Sequence, residues 1–165
     1  MRGERVTLRP LEVADAPRLA ELAAHPDVAR WWPDLGEAEL VEKADGRADS
    51  TGFAVVLDGE PIGLVQYYEE DDPQYRHAGI DVFVGEPWHG QGLGTDAVRT
   101  LARHLVEDRG HQRLIIDPSA ENERAIRSYE KVGFRRVGVM RRYWRGTDGR
   151  YHDGVLMDLL AEELR

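Results

Sequence analysis

The apolar residues fall into blocks whose spacing alternates between the strand period of two and the helix period of about 3.6. A stripe in which an apolar residue recurs at every fourth position predicts a long amphipathic helix, and it consists of Leu93, Ala97, Leu101 and Leu105. Patterns of this kind predict helices over residues 15–24, 37–47, 91–108 and 121–132. Alternating or continuous apolar runs predict strands over residues 5–9, 53–57, 62–68, 76–84, 113–116, 136–144 and 150–160.

Turn residues separate these blocks. The pair Asp58-Gly59 between two apolar runs is a strong signal for a tight hairpin. Asp15 is the expected N-cap of the first helix, and the residues His25-Pro-Asp that follow it are expected to end that helix. The chain length predicts one α/β or α+β domain over residues 1–165, and the hairpins argue against a fold of repeated parallel crossovers.

Composition narrows the class of protein. With 165 residues, 41% of them hydrophobic, the chain is long enough for one domain with its own core. Its formal charge of −9 argues against nonspecific nucleic-acid binding and favours a cationic ligand, although an acidic balance also serves solubility. The lack of cysteine excludes disulfides, thiolate metal sites and a cysteine nucleophile, and the spacing of the six histidines predicts no metal site. Since we find no signal peptide and no apolar run long enough for a bilayer, we expect a cytoplasmic protein without a membrane partner.

The strongest chemical signal is the stretch Trp-His-Gly-Gln-Gly-Leu-Gly-Thr-Asp-Ala at residues 88–97. Gly90, Gly92 and Gly94 lie between an apolar strand and a helix, so nearby N–H groups can turn toward an anion at the positive end of that helix. A plain strand-to-helix turn is the alternative, but it needs fewer glycines. The stretch lacks the Lys-Ser or Lys-Thr of a Walker phosphate loop. A dinucleotide-binding turn stays open, with Asp117 as the acid for a ribose, although several residues separate the strand from the glycines.

Acidic and aromatic residues form the second group of candidates. Asp81 lies in the middle of an apolar strand, so it either faces a cleft or pairs with an arginine such as Arg76. Asp117 follows a strand and either joins that cleft or caps the next helix. The four acids at residues 69–72 form a solvated loop or attract polycations at the mouth of a cleft. The pair Trp31-Trp32 caps the core or forms the apolar wall of a substrate site.

The order of these elements resembles that of the GCN5-related N-acetyltransferases (GNAT) over nearly the whole chain. The glycine stretch looks like the pyrophosphate-binding motif of that family, with His89 where Arg or Gln is usual, and residues 122–134 look like its second signature. The resemblance implies the α/β (α+β) GNAT fold, a mixed and mostly antiparallel sheet of six to seven strands flanked by about four helices. It also implies acetyl-coenzyme A (acetyl-CoA) as the cofactor, bound in a slot between two splayed strands.

Shorter segments resemble the aminoglycoside 6'-N-acetyltransferases within that family. They lie at residues 31–32, 58–63, 79–81, 92–95, 117–119 and 125–131. The long basic hairpin at the end of the chain, with its turn at residues 146–149, instead resembles the tails of acetyltransferases that modify protein N-termini. The resemblance therefore leaves two kinds of amine substrate open.

The resemblance also implies roles for individual residues. Asp81 is the expected general base, directly or through water, and Asp117 helps to hold and deprotonate the substrate amine. Tyr129 gives a proton to the departing sulfur or forms a hydrogen bond with it. The alternatives are a Tyr129 ring packed in the core and an Asn122 that serves only the first turn of a helix. The N–H of Phe83 or Val84, beside a strand bulge, is expected to polarise the acetyl carbonyl. The expected cofactor-binding residues are Phe83, Val84, His89, Gly90, Gln91, Gly92, Leu93, Gly94, Thr95, Asn122 and Tyr129. The expected substrate-binding residues are Trp31, Trp32, Asp34, Tyr67, Glu69, Asp81, Asp117 and Asp153.

We therefore expect an N-acetyltransferase that moves acetyl directly from acetyl-CoA to a primary amine of a polycationic small molecule such as an aminoglycoside. The lack of cysteine fits a reaction without an acyl-enzyme step. We expect the enzyme to be a monomer or a homodimer. A peptide N-terminus or another small amine is the alternative substrate. A non-catalytic coenzyme A sensor and an NAD-dependent oxidoreductase are the alternatives of a different class.

Overall fold

A mixed β-sheet runs through the molecule. The computed structural model describes residues 1–33 and 35–165. The strands are β1 (Thr7–Pro10), β2 (Thr51–Leu57), β3 (Glu60–Glu70), β4 (His77–Val84), β5 (Arg113–Ile116), β6 (Arg135–Arg145) and β7 (Tyr151–Leu160). Within those residues they form one seven-stranded sheet in the order β1-β2-β3-β4-β5-β7-β6, in which only β4 and β5 are parallel. The mixed, mostly antiparallel sheet expected from the sequence is confirmed.

Helices cover both faces of this sheet. They are α1 (Ala16–Ala23), α2 (Pro26–Ala29), α3 (Glu37–Ala44), α4 (Leu93–Glu107) and α5 (Glu123–Val132). The short helix α2 begins at Pro26, where we expected only the end of α1. His25 Nδ1 accepts a hydrogen bond from the Asp27 N–H at 3.4 Å, and a proline suits the first position of a helix. No helix in the described part of the chain has the length and apolar character needed to cross a bilayer.

Two apolar layers pack against opposite faces of the sheet. The apolar stripe of α4 is buried, as the sequence predicts, and it packs with Val65 of β3. On the other face, Leu19 of α1 and Leu40 of α3 pack with Leu64 of β3. Because neighbouring strand residues point to opposite faces, the central strands bury apolar side chains on both sides. Asp81 on β4 is therefore an exception that calls for a partner or a cavity.

The first strand, β1, begins later than the alternating pattern at residues 5–9 predicts. The backbone N–H groups of residues 4–6 instead donate to the buried carboxylate of Asp96 in the first turn of α4, at 3.0, 2.8 and 2.9 Å. Since these groups are occupied by α4, β1 begins only at Thr7.

Asp15 does not cap α1 with its side chain, contrary to expectation. Its two oxygens accept hydrogen bonds from the Arg9 guanidinium, each at 2.9 Å, and one of them also accepts the Glu12 N–H at 2.9 Å. A bidentate charged pair is stronger than a single bond to a helix N–H, so the carboxylate turns away from the helix.

The hairpin at Asp58-Gly59 forms as predicted. Both residues have positive φ, 50° and 88°, which a two-residue turn of this kind requires. The strand after this turn is longer than the sequence indicates, because β3 continues to Glu70. Glu69 therefore belongs to a strand and not to a solvated loop, and the sheet sets the direction of its side chain.

Strands β4 and β5 separate after a short contact. Their register consists of two residue pairs, of which the last joins Gly79 to Ile115, whereas β4 continues to Val84. The end of β4 thus has no neighbouring strand on its β5 side in the described sheet, and the expected splayed pair is confirmed. On its other side, β4 pairs one to one with β3 as far as Gly63, so the bulge expected beside Phe83 or Val84 does not occur in this register.

Candidate active site

A cavity of about 680 Å³ opens between the separated ends of β4 and β5. Its volume lies within the range of roughly 300–1,000 Å³ that is typical of small-molecule sites. The lining combines the glycine stretch and basic side chains of α5 with Asp81, Asp117 and aromatic side chains. The cavity therefore has groups for an anionic ligand and groups for a cationic one.

The glycine stretch forms a loop directly before α4. Gly90 and Gly92 have φ values of 76° and 79°, in the left-handed region that other residues rarely adopt. Gly94 differs from expectation, because it lies inside α4, where a methyl group would stand 3.7 Å from Val84 Cγ2. The first N–H groups of a helix have no partner within it, so those of α4 can bind an anion.

His89 is fixed by two hydrogen bonds. Its Nε2 lies 2.7 Å from the Val84 carbonyl oxygen, and its Nδ1 lies 3.0 Å from Arg124 Nη1. Because a carbonyl only accepts and a guanidinium only donates, the ring is neutral and carries its proton on Nε2. Arg124 therefore brings a positive charge to the loop position where the resemblance leads one to expect Arg or Gln in place of His89.

The backbone of Val84 faces the slot between β4 and β5. Gly85 donates its N–H to the Ile62 carbonyl at 2.8 Å, so backbone groups of odd-numbered residues at the end of β4 turn toward β3. Alternate residues of a strand turn their backbone groups to opposite sides, so the N–H of Val84 points into the slot and that of Phe83 does not. Of the two N–H groups expected to polarise a carbonyl, the geometry favours that of Val84.

Asp81 is paired with Gln66, its cross-strand neighbour on β3. Gln66 Nε2 donates to Asp81 Oδ2 at 3.0 Å. Burial and the negative charge of Asp117 raise the pKa of Asp81, and they outweigh the Gln66 hydrogen bond, which lowers it. The alternative pairing with Arg76 does not occur, since the Arg76 guanidinium donates to two backbone carbonyls beyond α4. Asp81 is thus a cavity carboxyl with a raised pKa, as a general base requires.

Asp117 accepts a hydrogen bond from the hydroxyl of Tyr143 on β6. This hydrogen bond, followed by burial and the charge of Asp117, raises the pKa of the Tyr143 phenol. Burial and the charges of Asp117 and Asp81 likewise raise the pKa of Tyr68 on β3. Asp117 does not cap the next helix, because Asn122 occupies that position. Two carboxylates and two phenols are therefore near neighbours.

Tyr129 of α5 is 8% exposed and lines the cavity. Its ring also packs edge-on against Phe134, with 6.3 Å between centroids, so core packing and cavity lining occur together. Burial, and then the charges of Asp81 and Asp117, raise the pKa of Tyr129. The phenol is thus protonated at neutral pH and can donate a hydrogen bond, while the raised pKa makes it a weaker acid than a free tyrosine.

Two side-chain contacts fix α5 beside the glycine loop. Asn122 lines the cavity and caps α5, because its Oδ1 accepts the Ala125 N–H at 3.2 Å. Thr95 in the first turn of α4 lies 2.5 Å from Ser128 of α5, measured between hydroxyl oxygens. Leu93 is fully buried under this loop and also lines the cavity.

Aromatic side chains form one wall of the cavity. Trp32 packs edge-on against Phe83 at 5.4 Å, and Trp31 lies 6.4 Å from Trp144 of β6. Trp144 in turn stacks on His152 at 4.9 Å. No described residue accepts a hydrogen bond from the buried Trp144 Nε1. Trp32 thus packs with the core and also lines the cavity.

Two residues expected to bind substrate are directed elsewhere by the sheet. Tyr67 follows Gln66 on β3 and so points to the opposite face, where it stacks with Phe53 at 6.3 Å. Glu69 is paired with Arg109 and with the buried His111, each at 2.7 Å. Neither side chain lines the described cavity.

We also expected three further residues in the site: Asp153 and Asp34 for the substrate and Gln91 for the cofactor. Asp153 lies on β7, and its carboxylate accepts a hydrogen bond from the Arg142 N–H at 2.8 Å. It is not among the described residues that line the cavity. The Gln91 side chain donates to the Pro87 carbonyl at 3.0 Å, and it too lies outside that lining. Asp34 is outside the described residues.

Several residues that line the cavity were not predicted from the sequence. Arg124, Arg127 and Lys131 share one face of α5, and their spacing of three and four residues was an available signal for a basic stripe. Tyr143 and Trp144 of β6 reach the cavity only through the strand order, which places β7 between β5 and β6. No local sequence pattern indicates that these two side chains lie at the cavity.

Comparison with known proteins decides the family. Residues 5–135 match the family model described as an acetyltransferase (GNAT) domain. The chain belongs to the GNAT acetyltransferase family. As a member of that family it is an N-acetyltransferase that uses acetyl-CoA, and the expected fold, enzyme class and cofactor are confirmed.

The relatives of this GNAT enzyme include enzymes for two classes of amine. It is 34% identical over 158 residues to the aminoglycoside N(6')-acetyltransferase type 1 of Klebsiella pneumoniae, with 84% of this chain and 78% of the relative covered. It is 28% identical over 165 residues to the spermidine N(1)-acetyltransferase of Escherichia coli (strain K12), with 96% and 87% covered. The solved aminoglycoside acetyltransferase AAC(6')-Ib, in complex with coenzyme A and kanamycin, matches with a TM-score of 0.77 at 31% identity, with 96% of each chain covered.

The residues present in the GNAT site fit acetyl-CoA. Left-handed Gly90 and Gly92, the open first turn of α4 and Arg124 supply positive groups for a pyrophosphate. The Val84 N–H faces the slot, where it can donate to a ligand carbonyl. The thioester of acetyl-CoA supplies the activated acetyl group.

Proposed function

We propose that this enzyme acetylates a primary amine of a polycationic small molecule of the aminoglycoside type, at the 6' amino group. The observation that carries the proposal is the placement of Asp81 and Asp117 beside an aromatic wall in one cavity. Carboxylates attract ammonium groups, and aromatic faces pack against the apolar faces of sugar rings. The 34% identity to an aminoglycoside N(6')-acetyltransferase supports the same class.

Asp81 acts as the general base. An ammonium group has no lone pair for attack, so the amine must lose a proton before it reacts. The raised pKa of Asp81 brings the carboxylate closer in basicity to its task, and Asp117 holds the amine or a neighbouring ammonium group.

The departing sulfur and the acetyl carbonyl oxygen both gain negative charge in the reaction, so each needs a donor group. Tyr129, which stays protonated at neutral pH, gives a proton to the departing sulfur. The Val84 N–H donates to the acetyl carbonyl and stabilises the charge that develops there. Arg124 and the glycine loop hold the phosphates.

Thiol release from acetyl-CoA tests this proposal directly. We expect release with kanamycin and other aminoglycosides, at rates well above those with lysine or short peptides, and we expect Asp81→Asn to lose about 10²-fold or more in kcat. Mass spectrometry of the product locates the acetyl group. Release with peptides alone would contradict the aminoglycoside proposal.

A polyamine is the second candidate substrate. The enzyme is 28% identical, over 96% of its length, to a spermidine N(1)-acetyltransferase, and two carboxylates in one cavity suit a linear polycation as well. Spermidine in the same assay separates the candidates, because a polyamine enzyme would show its highest kcat/KM there. Coenzyme A binding without turnover of any amine would instead favour a sensor.

An aminoglycoside acetyltransferase would act as a resistance enzyme in the cytoplasm, where acetyl-CoA is made. One chain supplies every group in the proposed mechanism, so the activity is compatible with a monomer or a homodimer. Expression in a susceptible bacterial strain, compared with the Asp81→Asn variant, measures the effect on kanamycin tolerance.

A further inference from the structure

A series of polar side chains leads from Asp81 to Lys43 on α3. Gln66 Nε2 donates to Asp81 Oδ2 at 3.0 Å, and Ser50 Oγ lies 3.4 Å from Gln66 Oε1. Lys43 Nζ lies 3.5 Å from Ser50 Oγ and 3.2 Å from Glu39 Oε1. Gln66 is 7% exposed and the Lys43 side chain is 9% exposed, so most of the series is shielded from water.

The lysine sets the direction of these hydrogen bonds. An ammonium group only donates, so Ser50 accepts from Lys43 and can give its own proton to Gln66 Oε1. Gln66 then presents its NH₂ group to Asp81, where an ionised carboxylate only accepts. Each bond thus favours the charged form of Asp81. A protonated Asp81 could still accept this hydrogen bond on its carbonyl oxygen, but a neutral carboxyl group is a weaker acceptor than a carboxylate.

Asp81 needs such support because its other neighbours oppose its charge. Asp117 carries a charge of the same sign. Burial is the main reason that the pKa of Tyr129 and of Tyr68 is raised, and the hydrogen bond to Asp117 is the main reason for Tyr143, so these phenols stay neutral and bring no positive charge. Burial also raises the pKa of Asp81. Lys43 is the cation that lowers it, and it does so from outside the cavity.

We propose that Gln66, Ser50 and Lys43 are positioning residues that keep Asp81 ionised for its work on the substrate amine. Gln66 occupies Oδ2, which leaves the other oxygen for the amine. This inference rests on the proposed role of Asp81 as the general base. It assigns to α3, which does not line the cavity, a part in the reaction.

The pH dependence of kcat/KM for the amine tests the inference. The comparison uses wild type, Lys43→Met, Lys43→Arg, Gln66→Leu and Glu39→Gln, all with saturating acetyl-CoA and the same amine, kanamycin or spermidine. Glu39→Gln is the matched control, because it breaks the same ion pair on α3 but keeps the ammonium group. Thermal melting checks that each variant is folded.

We expect Lys43→Met and Gln66→Leu to move the acid limb of the profile upward by about half to one pH unit. The plateau at high pH should stay within about threefold of wild type, because Asp81 ionises there without help. Lys43→Arg should restore the wild-type limb, and Glu39→Gln should not move it upward. A uniform loss of activity at every pH, or equal shifts in Lys43→Met and Glu39→Gln, would overturn the inference.

Asp81→Asn separates failure of this inference from failure of the proposed mechanism. If Asp81→Asn keeps its turnover, Asp81 is not the base and both ideas fall. If Asp81→Asn is inactive while the acid limb is unchanged in Lys43→Met and Gln66→Leu, only the positioning role is lost.

Discussion

Tyr143 of β6 donates its hydroxyl hydrogen bond to Asp117 at the end of β5, across the strand β7 that lies between them. The terminal hairpin thereby touches the acidic part of the cavity. Since Trp144 lies next in sequence and also lines the cavity, the hairpin contributes both a polar and an apolar group to the substrate side. We therefore expect the hairpin to help set which amine the enzyme accepts.

Tyr143→Phe tests that contact. We expect KM for the amine to rise about three- to tenfold with kcat changed less than threefold, because Asp117 loses the group that orients it. Steady-state kinetics at saturating acetyl-CoA measures both constants. Tyr151→Phe, an exposed position on the same hairpin, is the control, and an equal change in the two variants would argue against a role for Tyr143.

Tyr129→Phe removes the proposed proton donor and keeps the ring. We expect kcat to fall about 10- to 100-fold, whereas the Kd for acetyl-CoA stays within about twofold. Because the pKa of Tyr129 is raised, any alkaline loss of kcat due to this phenol should begin above the usual value of about 10. Tyr75→Phe, which changes an exposed tyrosine, should have no effect on kcat. Unchanged turnover in Tyr129→Phe would remove this residue from the mechanism.

Arg124→Ala removes the cation beside His89. We expect KM for acetyl-CoA to rise about five- to tenfold with little change in KM for the amine, because the proposed phosphate site beside His89 loses its side-chain charge. Titration with acetyl-CoA at two salt concentrations should show that the variant has lost part of the salt dependence of wild type. Arg18→Ala on α1 serves as the control. A change in the amine KM alone would contradict this placement of Arg124.

Asp96→Asn tests the attachment of the N-terminal segment to α4. Burial opposes the charge of Asp96, but hydrogen bonds from the N–H groups of residues 4–6 outweigh it and hold its pKa below the usual range. The resulting stability is present above the unfolded-state pKa of about 3.9 and is lost as pH falls through the lower folded-state pKa.

We therefore expect Asp96→Asn to lower the free energy of unfolding at pH 7 by about 1–3 kcal/mol, measured by urea denaturation. The difference from wild type should shrink once the pH falls below about 4. Glu107→Gln changes an exposed carboxylate on the same helix and should cost less than about 0.5 kcal/mol. A difference that stays constant down to the acid transition would argue against the charged hydrogen bonds as its cause.

Local patterns predicted the fold well because each one reports burial along a single element. The four-residue repeat of α4 and the turn at Asp58-Gly59 required no information from distant residues, and both formed as predicted. Element ends were less certain, since distant partners decide them. Asp96 delays the start of β1, and Arg109 with His111 holds Glu69 in an extended β3.

The candidate site was predictable where a residue type was out of place in its element. Asp81 stood out because it interrupts an apolar strand, and the glycines stood out because three occur within five residues. Tyr67 was expected in the substrate site because the alternation of side chains along a strand was not applied to it. It follows Gln66 on β3, so the two side chains point to opposite faces of the sheet. Tyr143 and Lys43 could not have been found locally, since their contacts depend on the strand order and on how α3 packs on the sheet.

The early separation of β4 from β5 creates a sheet edge in the interior of the molecule. An outer edge with unpaired backbone groups invites pairing with other chains and aggregation. Here the His89 ring occupies the Val84 carbonyl, and the Val84 N–H lines a cavity between helices and strands, where it can meet a slender ligand with a carbonyl group. The protein thus keeps strand-like hydrogen bonding available for a guest molecule without the risk of polymerisation.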